Sequence, residues 1–333
     1  MKIIVPMAGM GKRMRPHTLT IPKPLIPVAG KPIVQHLVED ITKVCHEKVD
    51  EIAFVIGKFG EEVEKKLVAI AEAEGAKGTI YYQDEPLGTA HAILCAKDAL
   101  KGKVVVAFAD TLFRTDVKMT DDCDGIIWVK QIEDPRQFGV VKVNNDNTIT
   151  DFVEKPPTFV SDLAIIGIYY FRDGEYLRSQ LQYLIDNDIR DKGEYQLTNA
   201  MENMKNQGKR LVPGKVTEWL DCGNKDATVY TNQRVLKIHK DKLAMPASVK
   251  MENSVVIQPC FIGEDVLISN SIVGPHVSVG KGCRISESVI KNSIIQNNSN
   301  VSCAVIDNSM IGSYVNYRGH TRDLSMGDYT TEQ

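Results

Sequence analysis

Two short runs near the start of the chain carry the residues best suited to chemistry. Met7-Ala8-Gly9-Met10-Gly11-Lys12-Arg13-Met14 is followed by Lys23-Pro24-Leu25-Ile26-Pro27-Val28, and the first 38 residues hold six Lys or Arg and no acid. A Gly-rich loop between a strand and a helix lets backbone N–H groups approach a phosphate. Lys12, Arg13, Arg15 and Lys23 concentrate positive charge on that loop, as a polyphosphate requires. A bare Gly-x-Gly loop is also an ordinary tight turn; the packed cations favour the phosphate reading. The loop fits neither a dinucleotide fingerprint, because Met14 stands at the third Gly, nor a P-loop, because Arg13 follows Gly-Lys.

Three further groups suit a phosphorylated substrate. Asp110 follows the apolar strand Val104–Phe108, at the strand end where open α/β sheets bind ligands. Asp221, in Trp219-Leu220-Asp221-Cys222-Gly223-Asn224, ends a second strand before a helix. Taken alone, either is also a turn or cap residue; together, two such carboxylates can share one divalent ion with substrate phosphates. Glu154-Lys155-Pro156 sets a carboxylate for sugar hydroxyls beside an ammonium for a phosphate, although an isolated Glu-Lys pair is commonly plain surface.

The elements that must hold these residues alternate. Strand-like Ile3–Val5, Ile52–Ile56, Thr79–Tyr82 and Val104–Phe108 are separated by amphipathic Pro32–Val44, Glu61–Ala73 and Thr89–Asp98, which predicts βαβ units and a mostly parallel sheet. Short strands at Gly125–Val129, Gly139–Val143 and Ile165–Phe171, then helices at Glu175–Asp186, Tyr195–Lys205 and Ala227–Lys240, complete an α/β domain over residues 1–240.

The pattern changes near Met245–Val249. Between Tyr230 and Tyr314 the only aromatic residue is Phe261. Aliphatics recur every five or six residues, at Ile262, Ile268, Val273, Val279, Ile285, Ile290, Ile295, Val301, Ile306 and Ile311. That period predicts a left-handed hexapeptide β-helix over residues 241–316, of about three coils, followed by a polar tail at 317–333. The open end of such a prism exposes aliphatics and strand edges, which predicts a homo-oligomer assembled through the β-helix.

The chain has 333 residues, 40 Lys and Arg, 43 Asp and Glu, and a formal net charge of −3. This balance argues against general nucleic-acid binding. The seven Cys form no C-x-x-C pair, so neither a disulfide framework nor a zinc site is indicated. Without a secretory leader or a membrane-length apolar run, the expectation is a cytoplasmic protein with no membrane partner.

In this order, these pieces resemble the sugar-1-phosphate nucleotidylyltransferases, or nucleotide-sugar pyrophosphorylases, over essentially the whole chain. The resemblance rests on Met7–Thr18, Lys23–Val28, Lys31-Pro32, Gln83–Ala90, Phe108-Ala109-Asp110, Phe138–Val141, Glu154-Lys155-Pro156, Ala164–Gly167, Gly193-Glu194-Tyr195 and Trp219-Leu220-Asp221. It implies a Rossmann-like nucleotidyltransferase domain and Mg²⁺-dependent transfer of a nucleotidyl group from a nucleoside triphosphate to a sugar 1-phosphate. By motif, Arg13 and Lys23 are the catalytic cations. Ala8, Gly9, Gly11, Lys12, Gln83, Gly88 and Thr89 bind the nucleotide; Gly139, Glu154, Lys155 and Gly167 bind the sugar phosphate; Asp110 and Asp221 hold the metal. The nearest type is the glucose-1-phosphate thymidylyl- or uridylyltransferases, so UTP or dTTP is expected. The alternatives are a mannose-1-phosphate guanylyltransferase and a bifunctional enzyme with acetyltransferase activity in the β-helix. Lys12 stands where the family usually has Thr, Ala109 replaces the usual Gly, and Ile166 replaces a commonly polar residue before Gly167.

Overall fold

A computed structural model describes residues 1–320, 322–329 and 331. The chain separates into two compact units, Met1–Ile26 with Pro32–Gly223, and Pro27–Lys31 with Asn224–Gln333.

The first unit is built on a nine-stranded mixed sheet. Its parallel part holds β1 (Lys2–Pro6), β2 (Glu51–Ile56), β3 (Lys77–Tyr82) and β4 (Val104–Ala107), with β1 between β2 and β4. β1, β2 and β4 are mostly Val, Ile and Ala, as burial on both faces demands, whereas β3, Lys-Gly-Thr-Ile-Tyr-Tyr, lies at the sheet edge and is only partly buried. Helices α1 (Ile33–Val44), α2 (Glu61–Ala73) and α3 (Thr89–Cys95) lie between them in sequence. A short strand β5 (Thr111–Arg114) follows β4 at once.

Beyond β4 the sheet turns antiparallel. The long strand β9 (Leu163–Phe171) pairs antiparallel with β4, with β6 (Gly125–Gln131) and with β7 (Val140–Val143), which carries β8 (Ile149–Val153) at the edge. The β9–β6 register shifts between Ile165 and Tyr169, and Gly167 sits inside that irregularity at φ +86°. Bulges of this kind re-aim a strand beside functional sites. Helices α4 (Gly174–Asp186) and α5 (Leu197–Asn206) follow, and β10 (Leu211–Lys215) adds to β6 in parallel. Asp173 caps α4 by accepting from the Tyr176 amide at 2.8 Å. Finally β11 (Glu218–Asp221) returns antiparallel along β5.

The second unit opens with α6 (Lys225–Ile238), capped by the Asn224 side chain on the Ala227 amide at 3.0 Å. It then winds into a left-handed parallel β-helix whose short strands stack in three columns. One column runs Lys250–Glu252, Leu267–Ser269, Arg284–Ser286, Asn300–Ser302 and Asn316–Arg318. The second runs Val255–Val256, Ile272–Val273, Val289–Ile290 and Val305–Ile306. The third runs Phe261–Ile262, Ser278–Val279, Ile294–Ile295 and Met310–Ile311. The stack runs from Lys250, inside the span expected to begin at 241, and its last strand extends to Arg318. Its core is a narrow pile of Ile268, Val273, Val279, Ile285, Ile290, Ile295 and Val301, all essentially buried.

The coils turn at left-handed corners. Asn253, Asn270, Glu287 and Cys303 have φ of +45°, +48°, +49° and +50°. The next residue in three of these coils is a serine that works twice. Ser254, Ser271 and Ser288 donate to the carbonyl two residues back, and accept the amides of Ser271, Ser288 and Ala304 in the following coil. Helix α6 covers the third column: Asn232 Oδ1 accepts from the Ser278 hydroxyl at 2.6 Å and from the Ala29 amide at 2.9 Å. Among the described residues no helix is long and apolar enough to cross a membrane.

Candidate active site

Two adjoining cavities of about 270 Å³ each open in the first unit, and they share Thr89, Phe108, Asp110 and Glu194. The first is bounded by the loop after β1, the Gln83–Thr89 segment and the end of β4. The second lies among β7, the Glu154–Lys155 turn, the bulge in β9, the start of α5 and β11.

The Gly-rich loop takes its shape from a close approach. Gly11 lies at φ +57°, and a Cβ there would meet Lys23 Cβ at 3.0 Å and Thr18 Cγ2 at 3.1 Å. Thr18 Oγ1 donates to the Gly11 carbonyl at 2.9 Å, tying the loop closed. Single 3₁₀ turns at Lys12–Met14 and Lys23–Leu25 then set the cations. Lys23 turns toward the sheet, with Nζ 2.5 Å from Asp110 Oδ2.

The two aspartates are brought together by the β5–β11 pair. Its register sets Thr111 opposite Asp221, and the Cys222 amide donates to the Asp110 carbonyl at 2.9 Å. Asp110 is thus held directly beside Asp221. The Gly223 amide donates to Asp221 Oδ1 at 3.0 Å. A Cβ on Gly223 would stand 2.9 Å from Asp221 Oδ2 and 3.2 Å from Arg13 Nη2, so the guanidinium and this carboxylate share the space that Gly223 leaves open. Burial raises the Asp221 carboxyl above its ordinary value, the negative charge of Asp110 adds to the rise, and Lys23, the Gly223 amide and Arg13 oppose it. Crowded carboxylates of this kind fit a cation placed between them.

On the first cavity's far side, Gly88 lies at φ +115°, and a Cβ would be 2.5 Å from the Tyr195 carbonyl oxygen. The Tyr195 amide donates to the Leu87 carbonyl, and the Ala90 amide to the Tyr195 carbonyl. Thr89 Oγ1 donates to Gln196 Oε1 at 3.0 Å and accepts the Leu197 amide at 2.9 Å. Gln83 Nε2 donates to the Gly88 carbonyl at 3.2 Å and lies 3.0 Å from His91 Nδ1. Burial lowers the pKa of His91, which suits the acceptor role this contact needs. Both Gln83 contacts fix the amide with its oxygen available as an acceptor.

In the second cavity, Glu154 is held by Lys155 Nζ at 3.4 Å and accepts from Thr198 Oγ1 at 3.4 Å. A Cβ on Gly139 would stand 3.1 Å from Glu154 Oε2. Lys155 adopts φ +43° and keeps its side chain half exposed, while Lys192 Nζ donates to its carbonyl at 3.0 Å. Phe138 meets Trp219 edge to face at 4.8 Å, and Trp219 Nε1 is buried without a hydrogen-bond partner.

Of the residues singled out from sequence, Ala8, Gly9, Gly11, Lys23, Gln83, Gly88 and Thr89 line the first cavity. Arg13, Gly139, Glu154, Lys155, Gly167 and Asp221 line the second, and Asp110 lines both. Lys12 is exposed and lines neither. Gln196, Thr198, Phe138 and Trp219 join the second cavity without having been chosen as site residues. Thr198 and Gln196 gave no local signal, whereas Trp219 lies two residues before Asp221 and strand alternation carries both to one face. Elsewhere, His46, Glu47 and Asp121 could hold an ion, but they are exposed and Lys103 donates to both carboxylates.

The Nucleotidyl transferase family matches residues 2–238, and this chain belongs to it. It is 28% identical to the low-salt glycan biosynthesis nucleotidyltransferase Agl11 of Haloferax volcanii, over 98% of each chain. It is 26% identical to a glucose-1-phosphate thymidylyltransferase of Streptomyces griseus, over 100% of this chain and 99% of that protein. A solved UDP-glucose pyrophosphorylase complexed with UDP-glucose aligns with a TM-score of 0.59 at 23% identity, over 71% of this chain and 98% of that one, which supports the fold. The protein is therefore a nucleotidyltransferase.

Proposed function

We propose that the enzyme joins a nucleoside triphosphate and a sugar 1-phosphate into a nucleotide-sugar, releasing pyrophosphate. The observation that carries this reading is Asp110, which lines both cavities and bonds to Lys23. A residue at that seam stands where two phosphorylated substrates meet.

The triphosphate occupies the first cavity and the sugar 1-phosphate the second. A phosphate oxygen of the sugar phosphate attacks the α-phosphorus in line, the bond to the β-phosphate oxygen breaks, and pyrophosphate leaves with the electron pair. No protein nucleophile is needed; positioning and charge stabilisation supply the acceleration. Lys23 neutralises the α-phosphate, and Arg13 grips the leaving phosphates. Lys155 holds the phosphate of the acceptor, and Glu154, braced by Thr198, accepts from sugar hydroxyls. Gly139 and Gly167 keep the backbone close to the sugar, and Gly9, Gly11 and Ala8 do the same for the nucleotide. Asp110 and Asp221 fit a divalent ion, Mg²⁺ in this reading. Such an ion supplies Lewis-acid stabilisation of the phosphate charge.

The Gln83 amide favours UTP or dTTP. Its oxygen is left to accept from an N–H, and N3–H is the donor on the Watson–Crick edge of uracil and thymine. Glucose 1-phosphate is the favoured acceptor, in keeping with the activity named for the Streptomyces griseus relative.

A matrix of triphosphates against sugar 1-phosphates, read by pyrophosphate release, tests the assignment. The expected outcome is turnover with a pyrimidine triphosphate, loss of at least about a thousandfold in Asp110→Ala and Asp221→Ala, and a Mg²⁺-dependent rise in Tm that those variants lack. Near-normal turnover in both variants overturns the reading.

A further inference from the structure

The three faces of the prism share one interior and differ outside. Along the first column the outward row is Lys250, Leu267, Arg284, Asn300 and Asn316, and apart from the half-buried Leu267 it is polar or charged and exposed. Along the third column the outward Ser278 and Ile294 are buried, and Asn232 of α6 bonds to that face. The second column is apolar outside and uncovered. Val255, Ile272, Val289 and Val305 occupy one register row and are 56%, 42%, 41% and 87% exposed. β-branched side chains in a straight row on a regular sheet form a ready packing surface.

The flanks of this row point to its occupant. Exposure alternates through the third coil: Glu287, Val289 and Lys291 are exposed, and Ser288 and Ile290 are buried. The outward order is therefore acid, aliphatic, base. A two-fold axis parallel to the prism sets two such faces together with their strands antiparallel and their coils level. Val289 then meets Val289 of the second copy, and Lys291 of each copy meets Glu287 of the other. Self-complementarity of this kind is what an isologous interface needs. Lys291 already pairs with Asp307 at 3.3 Å, and Cys303 Sγ donates to Glu287 at 3.0 Å, so both charges are held at the edges of the row.

We propose that the second-column face, from Val255 to Val305, is the contact between two copies of this chain, related by a two-fold axis parallel to the prism. It is independent of the nucleotidyl-transfer reading. It also differs from assembly through the prism's open end, because it uses a flat face.

Light scattering and sedimentation equilibrium of the full chain test it. The expected wild-type mass is that of a dimer at micromolar concentration. Val289→Asp should convert it to monomer. Lys291→Glu and Glu287→Lys should each weaken the dimer about tenfold or more by opposing like charges, and the double exchange should restore wild-type affinity. Unchanged circular dichroism and melting separate lost association from lost folding. A wild-type monomer, a trimer, or a double exchange as weak as its components overturns the proposal, whatever other protein binds that face.

Discussion

The cleft and the prism both use left-handed backbone, for different ends. In the cleft Gly88 and Gly167 lie at φ +115° and +86°, far from the left-handed helical well near φ +57°, and at Gly88 a side chain would collide with Tyr195 backbone. Along one row of prism corners φ lies between +45° and +50°, at Asn253, Asn270, Glu287 and Cys303. That narrow well admits side chains, Asn most readily. The cleft uses these conformations where chain segments approach one another closely, each in a unique surrounding. That row of the prism repeats one conformation to turn a corner. Positions in the cleft should therefore govern rate, and positions in the prism should govern stability.

The largest test of this contrast is Gly88→Val. The side chain must displace the Tyr195 segment that also anchors Thr89, and kcat/KM should fall at least about a hundredfold at temperatures where the variant, its melting point lowered by the strain, is still fully folded. Next is Ile290→Ala, which leaves a cavity in the narrow pile. Stability should drop by about 2–5 kcal/mol, read by denaturant unfolding, while turnover below the transition is unchanged. Loss of activity at full folding would break the contrast. A smaller effect is expected at a corner. Asn270→Ala should cost about 1 kcal/mol, because alanine pays more for the left-handed conformation, and Asn270→Gly should be close to neutral.

The smallest effect carries the opposite sign. Asp221 has a raised folded pKa, so its ionised form is disfavoured by the fold relative to the unfolded chain. The resulting cost is full above the raised value and disappears below the ordinary value of 3.8. In the absence of metal, Asp221→Asn should therefore melt higher than wild type at neutral pH, and the advantage should shrink on acidification. A lower Tm for the variant at pH 7 would count against a strained carboxylate pair.

Much of this contrast could be read in the sequence, where each region's signal is local. The prism announces itself because its inward aliphatics recur at a short fixed period. The basic loop was legible because its glycines and cations are contiguous. The pairing of Asp110 with Asp221 was readable only as two strand ends; the β5–β11 ladder that joins them spans more than a hundred residues of sequence. Thr198 and Gln196 had no signal, since a buried threonine and glutamine at a helix start are ordinary capping chemistry until tertiary structure lays Glu154 and Thr89 against them. The antiparallel turn of the sheet at β9 likewise depends on partners far along the chain.

The corner serines have a consequence for how the prism comes apart. Each hydroxyl accepts an amide from the following coil while donating within its own, so the corner bonds all run one way. At this corner the relay stops at Ala304, which has no hydroxyl to receive the next amide, while Ser293 and Ser299 clasp the Ser309 and Val315 amides at the other corners. A chain of one-way clasps with its last clasp missing frays from that end. Amide exchange should be slowest at Ser271 and Ser288 and fastest in the coil beyond Ala304, so that the structure is shed one layer at a time from its C-terminal side.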